Sequence, residues 1–227
     1  MLGYPMGSLL AVNLAVVRND AWTGRKGRSG IDKRPVSGPV RVGRVGLTGD
    51  TICDLTFHGG VDRAAYVYAQ EDFSWWESAL DRGIPPGSFG ENLTSLGIDV
   101  TGALIGEMWA IGSAVLQVTA PRIPCRVFAG FWDVPDLIQR FIQRGTPGAY
   151  LRVLGEGDVS AGDPIRILRR PDHGITVGQV FQALTTDPDQ LPALAGVTRL
   201  LAEDVRKKVE RRLAPPAPVG GELHDLV

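Results

Sequence analysis

The stretch Pro121-Arg122-Ile123-Pro124-Cys125-Arg126 gathers the residue types best suited to chemistry. Two prolines fix the backbone and bar an interior sheet position, so Cys125 is expected on a stiff loop at the end of a strand. Arg122 and Arg126 flank it, and positive charge favours the thiolate, which is either a nucleophile or a soft metal ligand. A buried inert cysteine is the plainer alternative. His58-Gly59-Gly60 precedes Asp62-Arg63; the two glycines let a ligand approach the backbone closely, and the same residues also suit a surface turn. Gly87-Ser88-Phe89-Gly90-Glu91-Asn92 is a glycine-rich turn. It ends in a candidate acid or base, Glu91, and in Asn92, which can fix a ligand carbonyl or amide. It lacks the Gly-Lys-Ser/Thr ending of a nucleotide phosphate loop, and an Asn-stabilised turn is its bland reading. Eight basic residues lie between Arg18 and Arg44, Lys33 and Arg34 among them, opposed only by Asp20 and Asp32. That suits a phosphorylated ligand, or simply a solvated loop.

These segments need elements to position them. Leu9–Arg18, Pro39–Val45, Thr51–Phe57, Ala64–Ala69, Leu93–Leu96, Ala103–Ile111, Ala114–Ala120 and Ile165–Leu168 read as short strands bounded by Gly, Pro or Asp. Ile111-Gly112-Ser113-Ala114 reads as a hairpin turn. Cys53 alternates with Thr51, Leu55 and Phe57 and is expected in the core. Helices are expected over Glu71–Arg82 and Asp133–Arg144, the second capped by Asp133. Many short strands with few helices suggest a β-barrel or sandwich for residues 1–173. After Pro171 the pattern changes. Thr176 to Gln179 is a capping box, Asp187-Pro188 starts another helix, and Val197 to Leu213 repeats at helical spacing. Residues 174–213 therefore read as a small three-helix domain, whose apolar stripe must bury against the barrel or a second subunit. Residues 214–227 read as a tail.

Composition excludes several classes. The chain has 227 residues, 44% apolar and 22% charged, with net charge −1, which is ordinary globular material rather than a bulk polyanion binder. Two cysteines exclude a disulfide framework and an iron–sulfur cluster, and favour a reducing, cytoplasmic setting. The longest apolar run, Leu9–Val17, is far too short to cross a bilayer. Trp22 alone interrupts the basic segment, so the stacking platform of a nucleic-acid binder is missing. No G-x-G-x-x-G follows a strand, so no dinucleotide site is expected.

Five segments in order resemble one family: Gly30 to Val36 (GIDKRPV), Gly46 to Asp50 (GLTGD), His58 to Ala64 (HGGVDRA), Gly87 to Thr94 (GSFGENLT) and Pro121 to Cys125 (PRIPC). They look like the MOSC domain, named for the C-terminal domain of molybdenum-cofactor sulfurases. Residues 174–213 resemble the three-helix appendage of its bacterial YiiM-type branch. The resemblance implies a mainly β fold: a MOSC-type barrel with a few helices, then the small helical domain. It implies binding of the molybdenum cofactor (molybdopterin), with Cys125 ligating molybdenum or carrying its sulfur. It implies reduction of small N-hydroxylated compounds, N-hydroxylated purine bases among them, with electrons from an external donor reductase. Lys33, Arg34 and Arg63 would then lie near the pterin phosphate. Phe89, Asn92 and Arg122 would bind the cofactor with His58, and His58 or Glu91 would donate the proton at the leaving hydroxyl. Two other readings use the same residues: a non-catalytic carrier of the cofactor or its sulfur on Cys125, and a cysteine hydrolase using Cys125, His58 and Asn92.

Overall fold

The structure, a computed structural model, describes residues 7–55 and 58–214. In chain order its regular elements are β1 (Gly7–Ala15), β2 (Lys33–Pro35), β3 (Val40–Gly43), β4 (Gly46–Leu47), β5 (Ala65–Ala69), α1 (Gln70–Leu80), β6 (Leu93–Leu96), β7 (Met108–Ile111), β8 (Ala114–Pro121), α2 (Arg126–Trp132), α3 (Leu137–Arg144), β9 (Ala149–Gly155), β10 (Gly157–Val159), β11 (Pro164–Arg169), α4 (Val177–Thr185) and α5 (Glu203–Leu213). Two 3-10 segments, Ala21–Lys26 and Pro188–Leu200, complete them. The strands run β11-β7-β8-β9-β5-β6-β1, and β1 pairs back onto β11 through Gly7 with Ile165 and Ser8 with Pro164. That pairing closes a seven-strand barrel, which removes the exposed edges of an open sheet. β2 adds to β1 outside the ring, and β10, β3 and β4 form a separate small sheet.

The hairpin turn forms as its residues dictate: Ile111 pairs with Ala114, and Gly112 takes φ +54. The capping box also forms, with Thr176 accepting from the Gln179 amide at 3.1 Å and Gln179 accepting from the Thr176 amide at 2.9 Å. The three-helix segment buries its apolar residues in one cluster with the barrel, so Val197, Val205 and Val209 pack on the chain's own core. Residues 215–227, which hold nearly all of the expected tail, lie outside the described residues.

Three expectations are corrected. Residues 51–55 form no strand, and residues 56–57 fall outside the described set; the alternation over residues 51–55 meets no partner strand among the described residues. Asp133 does not cap α3. It ends α2 in the left-handed conformation at φ 52, and α3 begins only after Asp136. Phe89, expected at the cofactor, presents no open face. It is fully buried at the centre of an aromatic cluster, within 5.0–6.2 Å of the rings of Tyr68, Phe73, Trp76, Phe128, Trp132 and Phe141.

Truncating that hub leaves a large void that the surrounding rings can fill only partly. Phe89→Ala should therefore destabilise the protein by about 3–5 kcal/mol, read as a lower thermal midpoint. A midpoint within a degree of the parent would show that the ring is not the packing centre.

Candidate functional site

Two close backbone approaches shape the site. Gly87 sits at φ +91, and a Cβ there would lie 2.2 Å from the Lys33 carbonyl oxygen; at Gly30 a Cβ would lie 2.0 Å from the Thr51 carbonyl oxygen. Only glycine permits either contact. The two bring the loop before β2, the loop after β4 and the turn before β6 together at one end of the barrel. The floor they form is a buried polar cluster. Lys33 Nζ donates to both Asp50 carboxylate oxygens at 2.5 and 2.6 Å, and the Ala15 amide donates to Asp50 at 2.8 Å. Asn92 Nδ2 also donates to Asp50 at 2.8 Å, while its Oδ1 accepts from the Tyr66 amide at 3.2 Å. Burial pulls the Lys33 ammonium below its usual range, and the Asp50 charge opposes that shift.

A cavity of about 610 Å³ opens above this floor. Lys33, His58, Arg63, Asn92, Arg122 and Cys125 all line it. Three expected site residues do not. Arg34 is exposed and turns its guanidinium to Asp32 at 2.8 Å. Phe89 sits in the aromatic core. The Glu91 carboxylate folds back into its own turn, accepting from the Gly87 and Phe89 amides and from the Thr94 hydroxyl. Burial raises its pKa to about 7, but it meets a backbone loop rather than the cavity.

Cys125 is half-buried and extended, at φ −131, in the residue before α2. The prolines hold it there as expected, and α2 itself follows without a sequence signal beyond seven residues that include Gly130. Arg122 is 4% exposed. Its Nη1 donates to the Phe89 carbonyl at 2.6 Å, and its guanidinium lies 4.5 Å from the Phe128 ring centre and 5.3 Å from that of Tyr66. Among the described residues it has no carboxylate within ion-pair distance. Seven lysines and arginines line the cavity against two aspartates, so the cavity favours an anion.

Among the cavity residues that the sequence did not mark are Cys53, Tyr66 and Tyr150. Cys53 lines it, because its segment passes the cavity as a loop rather than entering the core. Tyr66 and Tyr150 line it from β5 and β9. Tyr150 Oη is 3.0 Å from His58 Nδ1, and Arg63 lies 4.9 Å from the Tyr150 ring centre. Burial together with Arg122, Arg63 and Lys33 lowers the His58 pKa to about 4, so its imidazole is neutral at pH 7. Burial raises the Tyr150 pKa, so its hydroxyl keeps its proton. The short aromatic and β-branched run at 149–154, bounded by Gly148 and Gly155, was the available signal for β9.

Known proteins share this architecture. The MOSC domain model matches residues 54–166. The uncharacterized protein YflK of Bacillus subtilis is 36% identical over 196 residues, covering 86% of this chain and 87% of YflK. A protein of Gibberella moniliformis named reductase is 29% identical over 220 residues, which cover 93% of this chain but 38% of that protein. The crystal structure of YiiM from Geobacillus stearothermophilus superposes with a TM-score of 0.77 at 29% identity, covering 92% of this chain and 100% of that one. The shared fold, the matching domain model and the extent of the YflK similarity agree: the chain belongs to the MOSC domain family.

Proposed function

We propose that the protein is a molybdenum-cofactor-dependent reductase of small N-hydroxylated compounds that receives electrons from a separate donor protein. The observation that carries this reading is the combination, in one cavity, of a thiol on a rigid loop and a buried arginine with no carboxylate partner. MOSC domains are associated with the molybdenum cofactor, and a fungal relative is named a reductase. The donor set fits the group. A dithiolene-bound metal needs one protein thiolate, which Cys125 supplies. The dithiolene sulfurs and the phosphate of such a pterin are anionic, and Arg122 is the buried cation without a carboxylate that would meet them. Lys33 is committed to Asp50 and Arg63 to Asp204, so each adds field to the cavity rather than a free charge.

When bound, the cofactor supplies a two-electron couple. Cleaving N–OH to N–H and water consumes two electrons and two protons. Glu91 is turned away from the cavity, which leaves His58 with Tyr150 as the proton-handling pair that lines it. If the Tyr150 hydroxyl donates to Nδ1, the neutral imidazole keeps its N–H on the other ring nitrogen. That nitrogen then donates to the leaving oxygen while the Tyr150 proton moves onto Nδ1, so the imidazole stays neutral, and solvent supplies the second proton and reprotonates Tyr150.

The hydrolase reading loses its geometry. A Cys–His pair needs a third group to orient the imidazole. Here the Asn92 amide is taken up by Asp50, Asn13 and Tyr66, and the His58 partner is Tyr150. The carrier reading keeps Cys125 and differs only in turnover.

Protein from a cofactor-producing host should carry near-stoichiometric molybdenum, and Cys125→Ala should lose it, measured as metal per chain. Metal retained by the variant would remove Cys125 as ligand. The His58 titration gives a second test. Its folded pKa lies below its unfolded value of 6.5, so the stability it contributes is complete above about pH 6.5 and is lost as pH falls toward 4. An NMR titration of the cofactor-free protein should place the imidazole midpoint near 4, and His58→Gln should flatten stability across that window. A midpoint near 6.5 would contradict the buried, cation-flanked environment.

A further inference from the structure

The helical segment does more than pack on the barrel. The Ala202 amide donates to the Thr119 carbonyl at 3.1 Å, and the Glu203 amide donates to Asp62 at 2.9 Å. Arg152 bridges Asp62 at 3.0 Å and the Leu201 carbonyl at 3.2 Å. These ties set the start of α5 against the cavity and bring Asp204 and Lys208 into its wall, four residues apart and so on one helix face. The two side chains have different fates. Asp204 accepts from Arg63 at 2.6 Å. Lys208 makes no hydrogen bond or ion pair among the described residues, although it is partly buried; that burial, with the charges of Arg212 and Arg211, lowers its pKa. Three further lining cations, Lys26, Arg28 and Arg126, are exposed and likewise lack an ion pair among the described residues. They come from the first 3-10 segment, the loop after it and the start of α2. The cavity therefore has two cationic levels: buried Arg122, and an outer set on three separate elements plus α5.

We propose that the outer set is a second anion subsite, with Lys208 as its specificity-determining residue, which selects substrates bearing a phosphate monoester: N-hydroxylated nucleotides over the corresponding nucleosides or bases. A phosphate monoester carries close to two charges at pH 7 and three acceptor oxygens, which several converging donors can share. A partly desolvated ammonium gains more from such a contact than a solvated one. The phosphate takes no part in the reaction; it orients the N–OH end. The substrate chemistry rests on the reductase reading, whereas the subsite itself rests on Lys208 and its neighbours.

The test uses cofactor-loaded protein with an artificial electron donor, comparing N6-hydroxyadenosine with its 5′-monophosphate. In the parent the monophosphate should show a KM about tenfold lower with kcat little changed, the size of one charge-assisted hydrogen bond. Lys208→Met should erase that gap and Lys208→Arg should restore most of it. Lys207→Met should leave it intact, since Lys207 is exposed and paired with Glu203 at 2.6 Å. Equal KM values in the parent, or a gap that persists in Lys208→Met, would overturn the proposal. Should the parent reduce neither compound, the reductase reading fails, and calorimetry with adenosine 5′-monophosphate decides the subsite. Affinity about tenfold weaker in Lys208→Met supports it, and equal affinity or no binding in the parent overturns it.

Discussion

A buried guanidinium with no carboxylate to meet it is the constraint around which the site is built. Arginine stays charged in any protein environment, so Arg122 cannot relieve its burial by losing a proton. Taking such a charge out of water costs on the order of several kcal/mol per ion, and a carbonyl and two ring faces return only part of that. The loop that holds Arg122 also holds Cys125, so the thiol and the unbalanced charge share one rigid support. Burial keeps His58 neutral, and the same charge adds to that effect. A fold that retains such a cost at one point is prepared for an anion there.

The nearby Lys33–Asp50 pair shows the other way to bury a charge. There the ammonium meets a carboxylate, the remaining carboxylate capacity goes to the Ala15 amide and to Asn92, and Asn92 in turn holds the β5 backbone through Tyr66. That cluster is satisfied within the chain and joins β1, β2, β5 and the turn before β6. It fixes the floor of the cavity, and Arg122 leaves the opening above it electrically unbalanced. Gly30 and Gly87 let the floor assemble, since a methyl group at either would collide with backbone.

The barrel and the three-helix segment were legible because turn residues and apolar spacing report directly on backbone and burial. Cys125 was legible because Pro121 and Pro124 stiffen the loop that leads into it. Cys53 was misread because alternation carries no information on whether a partner strand exists. Arg34, Phe89 and Glu91 were misplaced for a different reason: a motif locates residues along the chain but not the direction of their side chains. Phe89 turns into seven-ring packing and Glu91 into its own turn, while their neighbour Asn92 reaches the cavity floor. Tyr66, Tyr150 and Lys208 left no trace in the sequence as site residues, because a regular strand or helix looks the same whichever neighbour its side chains meet.

The central claim is that Arg122 is kept for a ligand and not for the fold, and Arg122→Met tests it most directly. Methionine keeps an apolar stem between Tyr66 and Phe128 and removes the charge. The account predicts that the cofactor-free variant melts at or above the parent temperature while protein from a cofactor-producing host loses its molybdenum. A variant that melts several degrees lower and still carries full metal would contradict it.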